Sequence, residues 1–98
     1  MRVADRIRSK LTTALQPTRL AIRDDSQRHA GHAGARPEGE THFHVEIVSP
    51  LFAGMSRVAR QRRVYQALAA EMAGPVHALG LVTLTPAEDG NSKKDGNS

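Results

Sequence analysis

Val3, Ile7, Leu11 and Leu15 recur every four positions at the start of the chain, while Arg2, Arg6, Arg8 and Lys10 fill the other faces. A spacing so close to the helical period predicts an amphipathic helix over residues 1–16, ended by Pro17, which has no N–H to continue the ladder. Leu20 and Ile22 lie between Arg19 and Arg23, and the turn-forming Asp24-Asp25-Ser26 follows, so a short strand is expected over residues 19–25. From Gln27 to Gly39 the chain holds Gly31, Gly34, Pro37 and Gly39 without a sustained period and reads as a loop. Strict alternation begins at Thr41: Phe43, Val45 and Ile47 fall on one side and His42, His44 and Glu46 on the other, a strand that Pro50 stops.

After a turn at Phe52 and Gly54, Ser56 is suited to cap a helix running to about Ala73. Its expected apolar side carries Val58, Tyr65, Leu68 and Met72, and Arg57, Arg60 and Arg63 line another side. Gly74-Pro75 closes this helix, and the mostly aliphatic Val76 to Leu84 reads as a buried strand with His77 near its start. Thr85-Pro86-Ala87-Glu88 has the form of a capping box with proline at the first helical position, leading into a short helix at most. Residues 90–98 are Gly-Asn-Ser, Lys-Lys-Asp and Gly-Asn-Ser, expected to be a disordered polar tail behind a single domain of residues 1–89. The order helix, strand, strand, helix, strand predicts a small α+β domain with helices on one face of a three-stranded mixed sheet. The first two strands are expected to be antiparallel, and the second and third parallel, because a helix provides the crossover between them.

A chain of 98 residues allows one small domain, and with 39% hydrophobic but only 3% aromatic residues its core must be aliphatic. The absence of cysteine excludes disulfides, thiol catalysis, cysteine zinc fingers and any all-thiolate iron–sulfur site made by this chain alone. The formal charge is +4, and 11 of the 14 basic residues are Arg, so the surface suits nucleic acid or an acidic protein. Apolar runs fall far short of the roughly 20 residues that span a bilayer, and no signal-peptide core follows the N-terminus. A soluble, cytoplasmic protein is expected; the Arg-containing opening has a transit-peptide flavour that Asp5 and the helical periodicity oppose.

Five His in a cysteine-free chain are the main chemical signal, since imidazole suits zinc, copper, nickel and iron. His42 and His44 share a strand face, a geometry zinc enzymes use, with Glu46 as the local third ligand; the more ordinary reading is the polar outer face of a half-buried strand. His77 interrupts an apolar run, so it lies at the sheet rim or is a buried, hydrogen-bonded core residue, and taken alone the second reading is favoured. His29 and His32 sit three residues apart in the glycine-rich loop. Arg57, Arg60, Arg62 and Arg63 are suited to meet phosphates, although such a row is commonly a solvated face. Gly31-His32-Ala33-Gly34 is a GxxG tetrapeptide, but it joins two strands rather than two helices. No Walker loop, dinucleotide glycine fingerprint, Ser/His/Asp arrangement or spaced carboxylate pair is present, and an enzyme is not expected.

From Arg2 to Pro86 the chain resembles the BolA family. The motifs are Asp25-Ser26 with His29, Gly39-Glu40-Thr41-His42-Phe43, Ile47-Val48-Ser49 and Phe52-x-Gly54, then Arg60-x-Arg62 leading into Val64-Tyr65, Val76-His77-Ala78-Leu79 and Thr85-Pro86. The resemblance implies a class II KH-like fold and a non-catalytic accessory protein that forms a heterodimer with a monothiol glutaredoxin. The pair would share a [2Fe–2S] cluster whose thiolates come from glutaredoxin and glutathione, and this chain would supply His77 and a loop imidazole, His32 or alternatively His29. The isolated chain would hold no cluster stably and would be a monomer or weak dimer. A second family association is DNA-binding regulation through a helix-turn-helix-like or KH-like surface bearing Arg57, Arg60, Arg62 and Arg63. The chain departs from the family in having Gln61 where His commonly lies between two Arg, and in lacking a longer, often Trp-containing end after the last strand.

Overall fold

The four-residue spacing at the N-terminus produces helix α1 (Val3–Leu15), whose Ile7, Leu11 and Leu15 are almost completely buried. Each such side chain removed from water contributes about 1.5–3 kcal/mol to folding. The helix ends where Gln16 takes up a left-handed conformation (φ 47°) and donates its amide to Thr12 O, with Pro17 next in sequence. The computed structural model describes residues 2–25 and 41–90. The expected loop with its GxxG motif, His29 and His32, and the polar tail past Gly90, lie outside the described residues.

Strands β1 (Arg19–Asp24), β2 (His42–Val48) and β3 (Ala78–Leu84) form one sheet in that order. β1 and β2 are antiparallel, and β2 and β3 are parallel with His42 beside Ala78 and His44 beside Gly80. The alternation in β2 acts as expected: Phe43, Val45 and Ile47 join Ile7, Leu11, Leu15, Phe52, Val64, Leu68 and Val76 in the core, under the helices. His42, His44 and Glu46 face the other way and are half-buried. Ser49 links layers; its buried hydroxyl donates to Leu15 O at 2.6 Å and accepts the Leu51 amide at 3.1 Å, which closes α1 and starts the turn at Pro50–Phe52.

Three expectations for the second half change. The helix from Ser56 is two pieces, α2 (Arg57–Ala67) and α3 (Ala69–Ala73), offset at the buried Leu68, and Ser56 caps α2 by accepting the Ala59 amide. The helix is also turned from its expected orientation: Arg60 and Val64 point inward, whereas Val58 and Tyr65 are 57% and 39% exposed. At 100° per residue that is roughly a quarter-turn. The third strand begins at Ala78 rather than Val76, because the Val76 amide is spent on Glu71 O and those of His77 and Ala78 on Thr41 O.

The offset brings Glu71, with no exposed side-chain area, against α1, where Arg6 donates at 2.9 and 3.1 Å and Lys10 at 2.9 Å. Burial pushes the Glu71 carboxyl up, but hydrogen bonds from Lys10, its own backbone and Arg6 together outweigh burial and hold it below the usual carboxylate range. After β3 the Thr85–Glu88 capping box forms reciprocally, the Glu88 amide donating to Thr85 Oγ1 at 3.2 Å and the Thr85 amide to Glu88 Oε1 at 2.8 Å, and a helical turn follows at residues 86–90.

Candidate functional site

His77 sits at one end of the sheet, between the close of α3 and the first residue of β3. Its neighbour Val76 is 3% exposed and anchors the segment in the core, while the His77 side chain is exposed. The carbonyl of the fully buried Thr41 accepts the His77 amide at 2.7 Å and the Ala78 amide at 3.2 Å. The backbone under this imidazole is therefore fixed while the ring faces solvent. Of the two sequence readings of His77, the rim is the one adopted, and the buried core histidine is set aside.

The same corner receives both ends of the connection between β1 and β2. Asp25 donates its amide to His42 O at 2.7 Å on one side, and Thr41 binds His77 on the other. Asp25 and Thr41, the described residues on either side of the segment 26–40 that carries His29 and His32 in sequence, are thus both in the hydrogen-bonded neighbourhood of His77. Sequence reasoning did not pair His77 with His42, whose ring stands edge-on to it, with centroids 6.2 Å apart and planes at 71°. The His42 Nδ1 lies 2.9 Å from Thr41 Oγ1. The signal was present in the parallel pairing, which must set the first residue of β2 beside the start of β3.

The zinc arrangement of His42, His44 and Glu46 does not assemble. Glu46 pairs with Arg19, which also donates to Asp89 at 2.6 and 3.3 Å, so the carboxylate is engaged by an arginine of β1 that reaches the C-terminal turn as well. These contacts hold the Arg19 guanidinium proton more tightly than usual, first through Asp89 and then through Glu46. His44 lies over β3 at Gly80, where a Cβ would come within 3.1 Å of its Nδ1. Among the described residues no group of three His, Cys, Asp or Glu side chains is placed to hold a metal ion.

The expected Arg row is also rearranged. Arg57, Arg62 and Arg63 are exposed, but Arg60 is 6% exposed and committed inside the protein. It donates to Met55 O and Thr83 O at 3.1 Å each and to Glu88 at 2.6 and 3.3 Å, and its guanidinium lies 5.9 Å from the Phe52 ring centroid. A buried guanidinium needs this full set of acceptors, which is why α2 turns Arg60 toward β3 and away from any phosphate.

Known proteins resemble the chain over almost all of this architecture. The structure of BolA1 from Arabidopsis thaliana has a TM-score of 0.80 and 47% identity, covering 90% of this chain and 96% of that one. The solution structure of BolA1 from Mus musculus has a TM-score of 0.78 and 46% identity, covering 93% and 71%. Among curated proteins, chloroplastic BOLA1 of Arabidopsis thaliana is 49% identical over 87 residues, 87% of this chain and 54% of that protein. BolA-like protein 1 of Mus musculus is 50% identical over 82 residues, 84% and 57% respectively, so the chain spans about half the length of these two relatives. The UV-induced protein uvi31 of Schizosaccharomyces pombe is 46% identical, with 81% of this chain and 80% of that protein covered. No helix among the described residues is long and apolar enough to cross a membrane. The family model of BolA-like proteins matches residues 11–88, from the middle of α1 through all three strands to the capping Glu88; with the fold in agreement, the chain belongs to the BolA-like protein family.

Proposed function

We propose that this BolA-like chain is a non-catalytic accessory protein that pairs with a monothiol glutaredoxin and donates imidazoles to a shared [2Fe–2S] cluster. The observation that carries the reading is His77: an exposed ring on a backbone pinned by Thr41, at the corner where the β1–β2 connection begins and ends. The donor chemistry fits, because a chain without cysteine has imidazoles but no thiolates to offer. His77 is the strand-side ligand and His32 the loop ligand, with His29 as the alternative; glutaredoxin and glutathione supply the sulfur ligands. The cluster, when bound, supplies one-electron chemistry at a potential raised by replacing thiolate with imidazole. The chain's own task is to hold a neutral imidazole in place and to orient the partner. Anaerobic titration of cluster-loaded glutaredoxin with the chain, followed by visible circular dichroism, tests this. A one-to-one complex with an altered spectrum, lost in His77→Ala, supports it, and an unchanged spectrum with no complex overturns it.

The exposed Arg57, Arg62 and Arg63 support a second, compatible reading as a DNA-binding regulator. Each phosphate contact adds about 0.9 to the slope of log affinity against log salt, so removing all three Arg should flatten that slope measurably. Duplex binding that is indifferent to the triple substitution would remove this reading.

A further inference from the structure

The outward side of α2 carries unpaired charge and exposed apolar surface together. Arg6, Lys10, Arg19, Arg23 and Arg60 are each paired with a carboxylate. The side chains of Arg62 and Arg63 have no hydrogen-bond or ion-pair partner among the described residues, and Arg57 meets Glu88 only through its field. Arg57 is also the first residue of α2, whose first turn holds no acidic residue. A cation at that end opposes the helix dipole, so its placement costs the helix stability.

Leu51, Val58 and Tyr65 are the large apolar side chains left exposed among the described residues, and two of the three are on α2. At 100° and 1.5 Å per residue, Val58, Arg62 and Tyr65 fall within an arc of about 60° over a length of roughly 10 Å, on the side away from the buried Arg60 and Val64. By the same geometry Arg57 and Arg63 flank this strip on its two sides. Phosphates would engage the guanidinium groups and have no use for Val58, 57% exposed in their midst. A protein segment with apolar side chains on one side and carboxylates along its margins uses both features. Tyr and Arg are side chains on which protein contacts commonly depend, and opposite charge steers the approach. Two turns of helix also match the i, i+4, i+7 anchors of an amphipathic helix.

We propose that the outward face of α2 docks an acidic amphipathic helix of a partner protein, with its apolar side chains on Val58 and Tyr65 and its carboxylates on Arg57, Arg62 and Arg63. The docking does not use His77 and does not rest on cluster sharing. It draws on the same Arg as the duplex reading, so one experiment sets the two against each other.

The probe is a synthetic helical peptide with leucines at the i, i+4 and i+7 positions of one face and glutamates beside them. A scrambled peptide of the same composition, and duplex DNA, serve as controls. Fluorescence anisotropy with the full chain gives the affinities, and amide NMR locates the contact. The patterned peptide should shift the amides of α2 and bind about tenfold or more tighter than the scrambled one. Val58→Ser/Tyr65→Ser should weaken it about tenfold or more and leave duplex binding unchanged. Arg62→Gln/Arg63→Gln should weaken it and flatten its salt dependence. Amide spectra check that each variant is folded, and the single Val58→Ser, at an exposed position, carries the test where the double variant is not. Equal binding of the two peptides, binding of the patterned peptide untouched by loss of Val58, or shifts that spare α2 would each overturn the proposal. Duplex binding that is tighter than peptide binding and equally damaged by Val58→Ser would overturn it in favour of a nucleic-acid surface.

Discussion

Arg60 Nη1 lies 2.6 Å from Glu88 Oε1, and the same oxygen accepts the Thr85 amide at 2.8 Å. One carboxylate therefore caps the C-terminal turn and neutralises a buried guanidinium. This ties the turn at residues 86–90 to α2, and through Thr83 O to β3. Arg60→Ala removes charge-assisted bonds worth about 1.5–3 kcal/mol and should lower the urea midpoint accordingly. Arg60→Lys should not restore it, because an ammonium cannot reproduce the planar fork. A lysine variant as stable as the parent would show that Arg60 contributes charge alone.

The same pair sets an acid limit. Hydrogen bonds first from Arg60 and then from the Thr85 amide lower the Glu88 pKa from its ordinary 4.5 to about 2. The folded protein thus binds this proton less readily than the unfolded chain. The resulting stability is fully present above pH 4.5 and is lost as the pH falls toward 2. Glu71, also lowered, acts in the same direction. Melting temperatures should fall below pH 4.5, and the fall should be shallower in Glu88→Gln. An identical acid slope in that variant would remove Glu88 from the account.

Glu71 gives a comparison between losing a buried charge and stranding one. Its partners Arg6 and Lys10 are 38% and 41% exposed and can return to water, so Glu71→Ala should cost about 1.5–3 kcal/mol. The double variant Arg6→Ala/Lys10→Ala leaves the carboxylate buried and unpaired, and should cost about 3–5 kcal/mol. Chemical denaturation of both separates the two costs, and the reverse order would contradict the assigned burial.

Gly80 lets the His44 ring lie over β3, since a Cβ there would come within 3.1 Å of Nδ1. Gly80→Ala should therefore shift the imidazole resonances of His44 and leave those of His42 and His77 nearly unchanged. Coupled shifts at all three rings would show that they respond as one cluster.

Helix α1 and strand β2 were legible because Ile7, Leu11 and Leu15, and then Phe43, Val45 and Ile47, follow their periods without interruption. The capping box was legible locally, but the second task of Glu88 was not: its partner Arg60 lies 28 positions away, and a basic residue normally marks the wet side of a helix. That one inward arginine rotated the expected face of α2 and removed Arg60 from the surface row. Glu71 carried a visible sign, a lone acid in the run Ala67 to Ala73 with Arg6 and Lys10 four apart on α1. At the site, the motif around His77 pointed to the role proposed for it, but its exposure and its approach to His42 depend on where Thr41 places its carbonyl, which periodicity does not encode.

In the proposed function, His77 supplies a ligand to the shared cluster. Electron–nuclear double resonance on the reduced complex tests it most directly, with the chain labelled with 15N-histidine and the glutaredoxin unlabelled. A strong 15N hyperfine coupling is expected in the wild-type complex, reduced or lost in His77→Ala while the amide spectrum of that variant remains that of a folded protein. A complex that forms without any 15N coupling, or a coupling untouched by His77→Ala, would contradict it.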